Sequence, residues 1–562
     1  MSAATTVREV AELVWQRRVT REPYFALREG LPVLSIPADS LEEAEQDSAF
    51  AKAQLDALSA VNRAELSADS LLTCEFLEDE LGRALHRARD WWRSFPVTPY
   101  LAFTLAWYVQ RIFQPFQFNS AHDCDRYRAL LHDFRGAVHS MRIRLDAQAR
   151  RGWRVPKPAL PGVLTALRGF KQFSVASLPV HPDRLRLLQG AGAGEMCVQI
   201  ERVVNGSVAP AFDALIAFIE GDYARAAPGD VGMHRYPGGD EAYADWIRHH
   251  LTFAMTPRQL HDLGHEEVER LSDAMARIRG ELGFNGTEEE YHQQLRASGR
   301  MYASSAEEVE AKYRRCISRI EPLLSRGFRV LPKARYDVKR LELSAEAGMS
   351  FGHYDPPTPA EPVGFYRYNG SGLDTRSQLT AASIIYHELA PGHHFHLARQ
   401  MENKSLPDIR RHAIELTVFN EGWAEYAAEL AGEWGLYDTP EDRYGRLIHE
   451  RFVAQRLVTD TGLNAFGWSL DQARDYMLAN TLESPAQVAS ETLRYATDLP
   501  AQALAYRVGF LKFMELRKRA MDGLGRRFDM RDFHEAILGE GALPMPVLAR
   551  HLKRWVRKVA AD

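Results

Sequence analysis

The stretch from Tyr386 to His396 reads YHELAPGHHFH, and its residue types are those of a hydrolytic metal site. A histidine followed at once by a glutamate, with more histidines within two helical turns, approaches the zinc-helix pattern H-E-x-x-H. There, two histidines on one face hold the metal and the glutamate activates water. The pattern puts its second histidine at position 391, where this chain has Pro391. On a helix running straight through, His393 points roughly 120° away from His387, and His394 shares its face but sits about 10.5 Å along the axis. Neither then shares with His387 an ion that needs Zn–N bonds of about 2.0–2.1 Å. Pro391 removes an N–H and clashes with the carbonyl of His387, Ala390 is pushed off helical dihedrals, and Gly392 tolerates positive φ. A bulge there brings a histidine back to the metal. His393 is favoured, because dropping the Pro391-Gly392 pair restores H-E-x-x-H with Glu388 still beside His387; His394 is the alternative ligand.

Three other His-Glu pairs provide an internal comparison: His265-Glu266, His449-Glu450 and His534-Glu535. Each lacks a histidine four residues on and reads as a pair on an amphipathic helix. His261 and His265, four apart with Glu266 and Glu269 nearby, are the one rival metal pair, and a charged solvated helix explains them better. A second segment strengthens the first: TVFNEGWAEYAAEL, from Thr417, sets Glu421 and Glu425 one turn apart on one face. A two-His, one-carboxylate zinc site needs a carboxylate ligand, and ligating histidines commonly donate their other N–H to a further carboxylate. Glu421 suits the first role and Glu425 the second.

These motifs, with RLVTDTGLNAFGWSLDQARDYM from Arg456, PAQALAYRVG from Pro500, FDMRDFHEAILGEGALP from Phe528 and YPGGDEAYADWIRHHLTFAMTPRQLHDLG from Tyr236, resemble a large bacterial family of domains of unknown function. That family is itself similar to the gluzincin metallopeptidases: the carboxypeptidase Taq, angiotensin-converting enzyme and oligopeptidase groups. One departure stands out, Pro500-Ala501-Gln502 where the family tends to have Pro-Gly-Gln. The resemblance implies a mainly α gluzincin-like fold whose small sheet, beside the metal helix, offers an edge strand to an extended substrate. It also implies a tyrosine from the C-terminal part that stabilises the oxyanion, here Tyr506, which as a lone residue in a helix pattern would more often be core. Arg494 and Arg507 are weaker candidates for a substrate carboxylate.

Composition narrows the partners. The chain has 562 residues, 45% hydrophobic and 26% charged, with a formal charge of -5, so neither nucleic acid nor an anionic membrane is expected. Cys74, Cys124, Cys197 and Cys316 show no paired spacing and read as free thiols. The N-terminus lacks a secretory h-region, no run approaches about 18 apolar residues, and a cytoplasmic setting is expected.

The elements that must position the site follow from periodicity. VREVAELVWQRRV, SAFAKAQLDALSAV, LLTCEFLEDELGRALHRARDWW and RYRALLHDFRGAVHSMRIRLDAQARR carry apolar residues at helical spacing. Between Phe328 and Asn369, FRVLP, YDVKRLEL and VGFYRYN have the texture of short strands. The expected organisation is an N-terminal helical lobe (1–235) and a metal-binding lobe (236–562), forming one continuous body with a deep cleft. The expected function is a zinc-dependent hydrolase of short peptides or small amides: one Zn²⁺ per chain on His387, His393 and Glu421, with Glu388 as base. The alternatives are a non-haem iron oxygenase using the same two-His-one-carboxylate set, and a non-catalytic binding protein on a peptidase-like scaffold.

Overall fold

The computed structural model describes residues 2–101, 103–185, 192–346, 352–358 and 361–561. It is mainly helical with one small sheet, and its residues group into two compact units. The first holds Met1–Asn62, Glu80–Ala242 and Ala496–Asp498; the second holds Arg63–Asp79, Tyr243–Tyr495 and Leu499–Asp562. The principal division thus lies at 242/243, with two short segments exchanged relative to the simple partition expected from the sequence. The Arg63–Asp79 segment is tied into the second unit by charge. Arg410 donates to Asp69 and Thr73, and Glu75 accepts from Arg550 and Arg554.

In the first unit, long helices such as Ala121–Arg150 bury apolar faces at three- and four-residue spacing. One helical run departs from expectation. Residues Ala193–Tyr223 are long and apolar enough, by length and composition, to cross a membrane, with a mean hydropathy of 1.4 in the best window and 28% of it buried. Its longest uninterrupted apolar string, ALIAFI at 214–219, lies between Asp213 and Glu220, and Glu195, Glu201 and Arg202 interrupt the rest, so no continuous apolar string of spanning length marks the run.

The second unit carries every candidate site residue. Its helices are α1 (Pro257–Glu281), α2 (Ala381–Glu388), α3 (His393–Glu402), α4 (Thr417–Glu433), α5 (Pro440–Ala465), α6 (Pro485–Thr497) and α7 (Leu504–Leu524). Its strands are β1 (Arg335–Arg340), β2 (His353–Asp355) and β3 (Val363–Tyr368), in the order β1-β3-β2. β3 runs parallel to β1, pairing Arg335 with Val363, and antiparallel to β2, pairing Tyr354 with Tyr366. Along β3, Gly364, Tyr366 and Tyr368 are buried while their neighbours are half-exposed, the period of two of a sheet with one covered face. FRVLP is not a strand: Val330 and Leu331 are exposed and find no pairing partner among the described residues.

Two backbone contacts position the site. α4 crosses α7 with glycine against glycine: a Cβ on Gly422 would lie 2.5 Å from Gly509 Cα, and one on Gly509 only 2.3 Å from the Val418 carbonyl oxygen. Glu421 and Tyr506 sit on either side of that crossing, so its closeness fixes their separation. Gly509→Ala should force the helices apart at a cost of roughly 1–3 kcal/mol, read by calorimetry as an apparent Tm lower by several degrees. An unchanged Tm would show that the crossing tolerates the methyl group.

Candidate metal centre

The second backbone contact is the elbow inside the histidine motif. α2 ends at Glu388, where Leu389 leaves helical dihedrals (φ -108°, ψ -103°), and α3 starts at His393 after Gly392 (φ -80°, ψ -128°). The Ala390–Pro391 peptide is cis. The chain folds back so tightly that a Cβ on Gly392 would stand 1.8 Å from the His387 carbonyl oxygen, which only glycine permits. Trp423 of α4 locks the elbow, its indole N–H donating to the Pro391 carbonyl at 2.9 Å.

This fold brings His387 and His393 together, with ring centroids 4.7 Å apart and planes at 90°. Nε2 of His387 lies 3.4 Å and Nε2 of His393 3.3 Å from the same Glu421 oxygen, Oε2. That buried oxygen makes no hydrogen bond. Zinc bonds of about 2.0–2.1 Å arranged tetrahedrally put ligand atoms about 3.3 Å apart, so both histidine–carboxylate separations match the spacing zinc requires. The His387, His393 and Glu421 ligand atoms all lie within 4.8 Å of one another, the one such group of three among the described residues. The residues fit the ion.

His394 does not join them. It is fully buried, its Nε2–H donates to the Ala334 carbonyl (3.0 Å), and its Nδ1 accepts from the Tyr354 hydroxyl (2.9 Å). Burial pushes its pKa down to about 4, and it serves as a peg between α3 and the sheet. His261 and His265 do not form a second centre either. Their Nε2 atoms are 3.2 Å apart, and Nδ1 of the buried His261 is bonded to Thr461.

Behind the triangle lies a buried chain of alternating charge. Nδ1 of His387 stands 2.9 Å from Glu425 Oε1, close contact without a well-directed hydrogen bond. Burial alone would disfavour the His387 imidazolium, but Glu421 and Glu425 hold its pKa up, to about 10. Burial would also raise the Glu425 carboxyl, yet His449, His387 and Arg446 keep it well below the usual range. Arg446 donates to Glu425 (3.2 Å) and to Ser383 (2.9 Å), whose hydroxyl meets His449 Nδ1 at 2.6 Å. His449 and Glu450 are therefore interior members of this network, not residues of a solvated helix face. α5 is buried around most of its circumference. Sequence reasoning missed them because the link runs through space to Ser383 and Arg446. The only signal was a long helix mixing Arg, Thr and Asp with apolar residues on every side.

Arg507 is corrected as well. Its buried guanidinium donates to Glu267 through Nε (2.8 Å) and to Glu450 (3.1 Å), so it braces α7 against α1 and α5 and is not offered to a substrate. Arg494 is half-buried, with Nη1 3.4 Å from Glu491. Tyr506 lies beside the triangle, its ring parallel to that of His387 (8°) at 6.2 Å. Burial, with the Glu421 carboxylate nearby, raises its pKa. Glu388 is half-buried next to both histidines; burial raises its pKa and the two imidazoles oppose the rise.

The chain belongs to the bacterial protein family of unknown function DUF885, whose profile matches residues 23–552. No curated protein matches it. A putative lipoprotein from Colwellia psychrerythraea is 25% identical, with a TM-score of 0.86 over 99% of this chain and 100% of that one. A putative lipoprotein of unknown function from Shewanella oneidensis shares the fold at 17% identity, with a TM-score of 0.71 over 98% of this chain and 99% of that one.

The geometry separates the histidines experimentally. His393→Ala and Glu421→Ala should abolish stoichiometric zinc binding, whereas His394→Ala should keep it. Glu425→Gln should weaken zinc affinity by roughly 10- to 100-fold while the protein stays folded. Metal analysis and competition with a chelator read all four; zinc lost from His394→Ala and retained by His393→Ala would reverse the assignment.

Proposed function

We propose that this member of a family of unknown function is a zinc-dependent hydrolase of peptide or related amide bonds in short substrates, with one ion per chain. The observation that carries the reading is the His387, His393 and Glu421 triangle, with each histidine Nε2 3.3–3.4 Å from one Glu421 oxygen and Glu388 next to His387 in the chain. The resemblance of the H-E-x-x-P-G-H-H and E-G-W-A-E-Y-A-x-E motifs to gluzincin peptidases supports the same chemistry. When bound, zinc supplies a Lewis acid that polarises water and the scissile carbonyl.

Glu388 is the base. It follows His387 directly, keeps accessible surface, and has its affinity for a proton raised by burial, so it can take the proton of the attacking water and pass it to the leaving nitrogen. The Tyr506 hydroxyl is the donor to the oxyanion, an interaction worth about 3–4 kcal/mol when preorganised. Arg494, close to Tyr506 but engaged with Glu491 and Gln502, is the weaker candidate for a substrate carboxylate. A facial-triad oxygenase has no need of a glutamate beside its first histidine, which favours hydrolysis over iron chemistry.

Access limits the substrate. The His393 and Glu421 side chains are only 13% and 16% exposed, so a short extended chain or a small amide reaches them and a folded surface does not. The solved neighbours do not support the cytoplasmic setting expected from the sequence. The solved neighbours are described as putative lipoproteins, a description that points to a membrane-anchored or extracytoplasmic location for those proteins, and short peptides are available in either compartment.

Glu388→Gln should retain about one zinc per chain and lose most activity. Zinc-replete wild type should cleave short peptides or small amides, stop on chelation, and leave an intact folded protein uncut. Equal activity in Glu388→Gln, or efficient internal cleavage of the folded protein, would overturn this reading.

A further inference from the structure

Tyr506 can aim its hydroxyl only if its ring is held, and the structure provides a holder away from the metal. The guanidinium carbon of Arg456, on α5, stands 4.6 Å from the centre of the Tyr506 ring. The same ring lies parallel to the His387 imidazole. A phenol packed against two planar groups loses freedom about χ1, which places its hydroxyl oxygen, and about χ2, which sets the ring plane in which the O–H bond prefers to lie.

Arg456 is itself fixed from several directions. Its Nε donates to the Tyr495 hydroxyl at 2.9 Å, its Nη2 donates to Glu491 at 3.0 Å, and it lies 4.4 Å from the centre of the Phe452 ring. The Tyr495 hydroxyl also donates to Glu491, so α6 clamps both partners of the arginine. Arg456, Glu491 and Tyr495 are all buried. Burying an ion pair is a poor source of stability, since an apolar set of the same volume often does as well. A guanidinium does what an apolar group or a lysine cannot: it lies flat on a ring while its in-plane donors are held by fixed acceptors.

We propose that Arg456 is a positioning residue for the hydrolytic site, acting through Tyr506 and held in plane by Glu491 and Tyr495. The inference rests on the reading of Tyr506 as the oxyanion donor. Arg456 touches neither the triangle nor the reacting atoms, so its loss should lower kcat with little change in KM or zinc content. Misplacing a catalytic group by about 1 Å can cost on the order of 100-fold in rate.

The test is a double-mutant cycle on the zinc-loaded full chain with a short peptide substrate. Arg456→Lys keeps the charge without the flat face, and Arg456→Met/Glu491→Gln removes both charges of the pair, with loss of the Arg494–Glu491 contact as well. Each should lower kcat by about 10- to 100-fold with zinc retained. Combined with Tyr506→Phe, neither should slow the enzyme more than about twofold beyond Tyr506→Phe alone, because both act through one hydroxyl. If Tyr506→Phe lowers kcat but the Arg456 changes multiply with it, act on KM alone or release zinc, the inference fails and the role of Tyr506 stands. If Tyr506→Phe leaves kcat unchanged, the Tyr506 reading fails and takes the inference with it. Should the double replacement not fold, Arg456→Lys alone decides: kcat equal to wild type would overturn the proposal.

Discussion

The site depends on one backbone event, the reversal between Glu388 and His393. A continuous helix would separate His387 from His393 in angle and in height. The contact of Gly392 with the His387 carbonyl oxygen instead puts the first residue of α3 over the last turn of α2. His387 and Glu388 keep helical geometry on one side of the elbow, and His393 starts fresh helical geometry on the other. Trp423 ties the elbow to α4, the helix that also supplies Glu421 and Glu425. One hydrogen bond thus relates both metal-facing segments.

Such a site requires buried charge, and the structure tolerates it by alternating sign over a long path. From His387 the sequence of contacts runs to Glu425, Arg446, Glu450, Arg507 and Glu267. Removing one member would leave its neighbour uncompensated in the interior, which costs far more than an intact pair contributes. The same path joins α2, α4, α5, α7 and α1, so the charges that tune His387 also set how these helices meet. Rigidity at the triangle is a consequence of this shared bracing.

What the sequence disclosed follows from the range of each interaction. The elbow was legible because Pro391 and Gly392 are local breakers, and Glu421 with Glu425 because one turn of helix relates them. β1 and β3 were legible from alternation and β-rich composition, whereas FRVLP has the same texture and no partner. Arg507 was misjudged because its partner Glu267 lies 240 residues away. His449 was misjudged because a spacing rule looks four residues along the chain, and its partner Ser383 is reached only through space. His394 was a fair alternative on spacing, and only the sheet, by engaging both of its nitrogens, removes it from the choice.

The departure at Ala501 shows how long-range contacts rescue a locally poor choice. Ala501 adopts φ +68°, a left-handed conformation that costs a side-chain-bearing residue roughly 1–2 kcal/mol relative to glycine. Its N–H lies 3.1 Å from each Asp460 carboxyl oxygen, and Asp460 accepts from the Tyr243 hydroxyl at 2.6 Å. A hydrogen bond to a charged group contributes about 1.5–3 kcal/mol, enough to offset the backbone cost while Asp460 is ionised. Burial lifts the Asp460 pKa to about 7, with these hydrogen bonds pulling it back toward the charged form. The turn leads directly into α7, so α5 sets the start of the helix that carries Tyr506 through Asp460 and, one turn earlier along α5, steadies its ring through Arg456. Both contacts come from the RLVTDTGLNAFGW block, which explains on physical grounds why a segment without a metal ligand belongs to the same architecture as the histidine motif.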